Sequence, residues 1–525
     1  MAAEFINYAM DHGGGGGEGG GERARRRRAG REAANRDRGE DEFEFGGSKG
    51  KSQKMASKLD EGQIPGGNSS GVGSMQKTEH EFVSGALDLF DGAPVEANMI
   101  DSTERSYFVN GSLTHSGPWT FHVPAEASML IDPSSFRLSG SLKVVRLNAA
   151  QEEQNLQAEV AAAEGRAAVA AEDVTVVNMA PASLFRSVDV DISGQMVSFI
   201  STGMAQYKTF LETILSYNKD ANTLEPARFR MDTTGQCDTW NNQGALARRE
   251  WISGSKEMDF NIPLSSDVLR INKYLPDQMS MNITISKTSD AFVLWAPAAN
   301  NANYRIKITE LKLTCRRIQM RREWLSAMRT RLDRGDRLRY PLVRTIIKPL
   351  SLSAGDKVRS LHDVFRGRIP NTVIVGFVRH VAQSGSIRAN PYHFQNFGVS
   401  NVTLVVNSKN YPAQGYRTNF TEGEEKFADA YRGLLDNIGL KEENEEICVG
   451  MSEYNTDYTL FAFDLTPDKC GNLHRHLETR GVVNLELQFK QELAEAVSCI
   501  CYGTYNDEIQ IDQDRIAYST GSVYE

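Results

Sequence analysis

From about residue 81 onward the chain consists of short apolar runs cut by Gly, Pro, Asn and Asp, and few stretches carry a helical period. Runs that alternate with period two bury one face only when they stand in a sheet over a core. In Val482 to Phe489, the residues Val483, Leu485, Leu487 and Phe489 share one face, and Asn484, Glu486 and Gln488 share the other. Phe185 to Ile192 repeats the pattern, with Val188, Val190 and Ile192 inward, Asp189 and Asp191 outward, and a turn at Ser193-Gly194. Arg305 to Leu313 slips register between Ile308 and Leu311, which predicts a bulge or a strand covered on both faces. Further strands are expected at Trp119 to Val123, Phe136 to Leu147, Lys256 to Leu264, Met281 to Ile285, Val343 to Ile347, Thr372 to Val378, Val399 to Val406, Thr459 to Leu465 and Ser498 to Tyr505. Spacing of this kind predicts an all-β protein with two sets of roughly eight strands.

Helices are few. Gln206 to Tyr217 places Phe210, Leu211, Ile214 and Leu215 on one stripe, which predicts an amphipathic helix packed on a sheet. Ala149 to Glu172 is rich in Ala, Glu and Gln and reads as a helical insertion in a long loop. Arg316 to Arg339 holds nine arginines against Glu323, Asp333 and Asp336 and reads as an inter-domain connector. The expected organisation is an arm over 1–80, a first β domain over 81–315 with the insertion at 149–172, a basic connector over 316–339 and a second β domain over 340–525.

The arm differs in composition from the rest. Residues 1–80 hold 18 of the 44 glycines, only four aromatic residues, and 13 basic residues balanced by 13 acidic ones, so the whole net charge of -9 belongs to the remaining 445 residues. Such a segment cannot bury enough apolar surface to offset the entropy of ordering and is expected to be disordered. Its charges are segregated. Arg23, Arg25, Arg26, Arg27, Arg28, Arg31, Arg36 and Arg38 stand against Glu22, Glu32 and Asp37, and an acidic knot follows at Glu40 to Glu42 with Glu44. Three roles suit these arginines: nucleic-acid contact through phosphate neutralisation, a nuclear import signal, or a solubilising tail paired with its own acidic knot. For the connector arginines, carboxylates of the same or a partner subunit are the expected partners, because the folded part is net acidic.

Chemistry is harder to find. Gly46-Gly47-Ser48-Lys49-Gly50-Lys51-Ser52 nearly spells a P-loop, but Phe45 stands where the first glycine is needed and no strand precedes it. Cys470, His474 and His476 are ligand-type residues, yet their spacing matches no structural zinc pattern and no fourth donor is evident, so a solvated turn after Thr466-Pro467-Asp468 is the expectation. Cys499 and Cys501 share a strand face as small buried hydrophobes. The pairs Asp189/Asp191 and Asp512/Asp514 are expected to be solvated rather than catalytic, and no Ser/His/Asp signature occurs among nine histidines. No catalytic, cofactor-binding or metal residue is therefore assigned, and the expectation is a protein that is not an enzyme. No run approaches the roughly 18 apolar residues of a membrane span, no leader pattern opens the chain, and six irregularly spaced cysteines read as reduced thiols.

Four stretches carry a resemblance: ALDLFDGAPVEANMIDSTERSYFVNGSLTHSGPWTFHVP (86–124), LFRSVDVDISGQMV with YKTFLETILSYNKDA (184–221), NPYHFQNF (390–397) and YTLFAFDLTPD (458–468), with NDEIQIDQDR (506–515) near the end. In collinear order over roughly 83–520 they resemble the major capsid protein of the Maverick/Polinton group of virus-like DNA transposons, related to adintoviruses. The arm and the 149–172 insertion fall outside that pattern.

The resemblance implies a tandem double jelly roll, two eight-stranded antiparallel sandwiches in one chain, as in adenovirus hexon and virophage capsid proteins. It implies a homotrimer whose six jelly rolls form a pseudo-hexagonal tile, an icosahedral shell around double-stranded DNA, and a separate single jelly-roll protein at the vertices. The connector arginines and the helix Gln206 to Tyr217 are then expected near domain or subunit interfaces. The implied location is the virion, assembled in the host cell or its nucleus. Such elements encode an adenovirus-like maturation protease, and Ile64-Pro65-Gly66-Gly67-Asn68 resembles its apolar-x-Gly-Gly recognition pattern, implying cleavage after Gly67; a glycine-rich linker gives the same letters. A capsid-like protein domesticated by a host as a scaffold or nucleic-acid-binding module is the alternative, and a carbohydrate-active β-sandwich a third.

Overall fold

A computed structural model describes residues 96–113, 115–158, 172–198, 203–297, 299–300, 302–440, 446–472 and 474–519. Eight strands build a first module: β1 Met99–Phe108, β2 Trp119–Val123, β3 Arg137–Leu147, β4 Phe185–Ile192, β5 Gln195–Ser198, β6 Met258–Pro263, β7 Met281–Lys287 and β8 Asn303–Met320. Eight more build a second: β9 Leu338–Leu352, β10 Val358–Arg368, β11 Thr372–Arg379, β12 Val399–Val406, β13 Lys409–Arg417, β14 Leu460–Asp464, β15 Arg480–Phe489 and β16 Val497–Ile511.

The two modules share one strand order. In the first, one sheet runs β1-β8-β3-β6 and the other β2-β7-β4-β5; in the second, the sheets run β9-β16-β11-β14 and β10-β15-β12-β13. Every ladder among these strands is antiparallel. Adding eight to each label of the first module gives the second, which is the strand order of a jelly roll written twice.

Local chemistry accounts for these strands. Val483, Leu485, Leu487 and Phe489 are buried, as are Val188, Val190 and Ile192, so the period-two faces point where the alternation requires. The hairpins β4–β5 and β12–β13 each turn on two residues of positive φ, Ser193 (51°) with Gly194 (84°) and Asn407 (48°) with Ser408 (67°). Two consecutive left-handed residues match the twist of the flanking strands. The expected bulge in β8 falls between Ile308 and Glu310, opposite Leu142 and Ser141 of β3; at the next residue, Gly140, a Cβ would collide with the Glu310 carbonyl oxygen.

Most expected strands keep their place with shifted ends, and three segments outside them also differ from the sequence expectation. The stripe Gln206 to Tyr217 is a helix over Ala205–Ile214, α1, and Leu215 is its cap. The segment read as a helical insertion opens as an edge strand, Glu153–Asn155, paired with β3; residues 159–171 of it lie outside the described residues. At the start of this edge Glu153 meets Lys307, 2.8 Å away, and Arg305 at 3.8 Å. The basic connector is not one element: its first residues end β8, and Arg322–Asp333 forms a helix, counted here as α3 after α2 at Gln243–Ile252. Leu325 of α3 packs with Leu130, Ile318 and Met320, which seats the connector on the first module.

The long connections between the fifth and sixth strands of each module carry α1, α2 and a fourth helix. Residues 199–257 hold α1 and α2, and residues 418–459 hold α4 at Ala428–Asn437. One continuous cluster of buried apolar side chains runs through both modules.

Candidate functional site

The stretches NPYHFQNF and YKTFLETILSYNKDA, distant in sequence, meet at the seam between the modules. Tyr392 stacks on Phe210 of α1 with ring centroids 4.0 Å apart and planes 10° from parallel, and Tyr207 and Phe292 meet Tyr392 edge-on at 5.8 and 5.9 Å. Such pairs add about 0.5–1.5 kcal/mol beyond their burial. Their polar ends are satisfied across the same seam. The Tyr207 hydroxyl donates to the Pro391 carbonyl at 3.0 Å, and the Tyr392 hydroxyl lies in a 2.6 Å hydrogen bond with Ser183 Oγ. Asn390 donates to the Cys237 carbonyl at 2.8 Å and its backbone N–H to Asp238 at 3.0 Å. Burial pushes the Tyr207 and Tyr392 hydroxyls upward in pKa, so both stay neutral donors.

Buried charges tie the same surfaces. Arg344 of β9 pairs with Asp507 of β16 at 2.7 Å and donates to the Val197 carbonyl of the first module at 3.3 Å. Lys208 of α1 pairs with Asp267, whose other oxygen accepts the Thr345 backbone N–H at 2.9 Å. Asp277, fully buried, receives Arg329 of α3 at 2.5 Å and Arg515 of the second module at 3.0 Å. The fifth-to-sixth-strand connections of the two modules also clasp each other: Asp457 accepts the N–H of Gly235 at 2.6 Å and of Cys237 at 3.2 Å, and Thr234 donates to Glu453 at 2.9 Å. Paired buried ions of this kind fix a geometry, because removing one partner strands the other in low dielectric.

Several of the connector arginines find carboxylates and acceptors within the chain. Arg316 pairs with Asp132 at 2.5 Å, Arg317 donates to the Pro124 carbonyl at 2.5 Å and to Tyr107 at 2.9 Å, and Arg331 meets Asp336 at 3.0 Å.

The candidate chemical groups separate in space. Cys499 and Cys501 lie side by side on one face of β16, sulfurs 3.6 Å apart and fully buried. Burial drives the Cys237 and Cys499 thiols well up and those of Cys315 and Cys448 up to about 12, away from the thiolate that redox or nucleophilic chemistry requires. Asp512 accepts the backbone N–H of Asp514 and of Ile516, both at 3.0 Å, and so closes a turn. Cys470, His474 and His476 do converge, and Asp468 joins them as the fourth donor missing from the sequence reading. The arm arginines from Arg23 to Arg38, the cleavage position Gly67 and the P-loop-like run all lie outside the described residues.

Sequence reasoning passed over Asn390, Asp277 and Arg344 as site residues. Arg344 alone left a local signal: it occupies an inward position between Leu342 and Ile346, where a strand core has no place for an unpaired charge.

The two first strands present opposite surfaces. β1 stands at a sheet edge and is exposed along nearly its whole length, with Ile100 at 58% and Phe108 at 65%; β9 is largely buried, with Tyr340, Leu342, Arg344 and Ile346 all at 8% or less. An exposed edge strand is a template for further pairing or contact.

No protein-family model matches the chain. In sequence it is 22% identical over 337 residues to an uncharacterised protein of Caenorhabditis elegans, covering 63% of this chain and 78% of that one. In structure it is similar to a chain of the Sputnik virophage solved by cryo-EM (TM-score 0.55, 12% identity, 85% of this chain and 94% of that chain). It is also similar to a chain of the quasi-atomic PBCV-1 virus capsid (TM-score 0.51, 8% identity, 82% and 99%). With the repeated strand order, these likenesses identify the fold as a tandem double jelly roll.

Proposed function

We propose that this chain is a structural capsid subunit rather than an enzyme, a major capsid protein of a Maverick/Polinton-type transposon. The observation that carries the reading is one eight-strand order written twice across an apolar, ion-paired seam, in a fold it shares with chains of the Sputnik virophage and the PBCV-1 capsid.

A rigid two-module block suits a tile. Three copies supply six similar modules, and closure into a ring requires each second module to meet the first module of the next copy. In that arrangement the open β1 edge is the surface that a neighbour covers. The homotrimers pack into an icosahedral shell around double-stranded DNA, with a single jelly-roll protein at the vertices. The virion is the final location, after assembly in the host cell or its nucleus. The arm arginines, Arg23 to Arg38, contact nucleic acid or direct import, and an adenovirus-like protease cuts after Gly67.

The nematode relative supports a second reading, a capsid-like protein kept by an animal host as a scaffold or nucleic-acid-binding module. Mass determination with electron microscopy of the purified protein tests the first reading: trimers and shells are expected, and a persistent monomer at high concentration rejects it. For the arm, nucleic-acid affinity is compared with and without residues 1–67 across a salt series. A salt slope unchanged by the deletion removes the arginines from phosphate binding. The intact N-terminal mass in mature particles would remove the cleavage.

A further inference from the structure

We propose that Asp468, Cys470, His474 and His476 form a tetrahedral Zn2+ site that staples the loop between β14 and β15. This proposal is independent of the capsid reading.

The donors converge as ligands around one ion do. His476 Nε2 lies 3.1 Å from Cys470 Sγ and 3.2 Å from Asp468 Oδ1, and His474 Nε2 lies 3.8 Å from Cys470 Sγ and 2.9 Å from Asp468 Oδ2. All four donor atoms lie within 4.8 Å of one another. Metal–ligand bonds of about 2.0–2.3 Å at tetrahedral angles place donors about 3.3–3.8 Å apart, so shifts of under about 1 Å bring this set to coordination distance. A thiolate, two imidazoles and a carboxylate form a mixed soft and borderline set that suits Zn2+, and their two negative charges balance the ion.

The loop is held in shape apart from these donors. Asp464, itself buried, accepts the Thr466 backbone N–H at 2.8 Å and its hydroxyl at 2.6 Å with one oxygen, and the Gly471 N–H at 2.9 Å with the other. Lys469 and Gly471 adopt positive φ, 57° and 62°, which reverses the chain around Cys470 and turns its sulfur toward the histidines. The sequence pattern hides this geometry, because Asp468 and Cys470 are spaced by one residue, as are His474 and His476, unlike any zinc-finger knuckle. The backbone reversal makes the four neighbours. His476 and Pro467 also wall a cleft of about 300 Å³ with Arg368 and Tyr411, so the staple fixes one side of that cleft.

The test uses the full chain, stripped of metal and titrated with Zn2+ and with Co2+ as a spectroscopic probe. The expected result is about one ion per chain, tetrahedral Co2+ bands, and a thiolate-to-cobalt charge-transfer band that C470S abolishes. Cys470→Ser and His476→Gln weaken Zn2+ affinity at least about 100-fold. Because the cluster lies at the surface, circular dichroism of both metal-free variants matches the metal-free parent; if C470S fails to fold, His474→Gln carries the comparison. Zn2+ also slows tryptic cleavage after Lys469 and Arg475 in the parent and not in the variants. An octahedral Co2+ spectrum without the thiolate band, or an affinity unchanged in the folded variants, overturns the site. Equal cleavage with and without Zn2+ overturns the staple.

Discussion

The two modules have the same strand order and different neighbours. β9 and β1 are the same strand of the jelly roll, yet Thr345 and Arg344 of β9 are met by Asp267 and the Val197 carbonyl of the first module, whereas β1 stands open at the edge of its sheet. Pairing within each module is therefore a property of the module, and burial of its faces and edges is a property of what lies beside it. The chain thus covers one such edge within itself and leaves its counterpart open.

Five substitutions sharpen or break this contrast. The largest effect belongs to Phe210→Ala, which removes the ring under Tyr392 and is expected to cost about 3–5 kcal/mol in urea unfolding of the full chain. A loss under about 1 kcal/mol would show that the modules do not depend on their stacked seam. Arg344→Ala, at about 3–5 kcal/mol, takes the guanidinium from a buried Asp507. Both modules should lose stability together; an unfolding trace in which only one transition moves would mean the seam does not couple them.

Tyr392→Phe keeps the ring and deletes the hydroxyl, and about 1–2 kcal/mol is expected from the Ser183 bond alone. Agreement between this value and the difference between Phe210→Ala and a Phe210→Ala/Tyr392→Phe double variant would show that ring and hydroxyl act independently. The smallest effect on stability, within about 0.5 kcal/mol, falls to Ile100→Lys with Phe108→Lys on open β1. If the proposed trimer forms, sedimentation should then show its loss with an unchanged monomer fold, and trimers persisting in this variant would move the subunit contact away from β1.

Much of the architecture was legible in the alternation. The strand Trp119–Val123 and the strand Val399–Val406 have the bounds expected of them, and the β8 bulge falls within the run where the register slips. Three of the strands that escaped notice share a character. β1, β10 and β13 read MIDSTERSYF, VRSLHDVFRGR and KNYPAQGYR, all largely polar. Each lies at or near a sheet edge with solvent on much of its surface, so no apolar period marks it. The seam was half legible: the α1 stripe announced a buried face, and nothing in NPYHFQNF announced that Tyr392 would be the surface it meets.

Sequence by itself determined which residues alternate, where the hairpin at Ser193-Gly194 turns and that two β modules follow one another, because period-two burial and left-handed turn residues are properties of adjacent positions. Only the tertiary structure decided that Asn390, Tyr392 and Asp457 face the first module, that Arg344 finds Asp507, and that Asp468 joins Cys470, His474 and His476. Those partnerships depend on the path of the chain between distant or oppositely directed residues, and a path through space leaves no period in a string of letters.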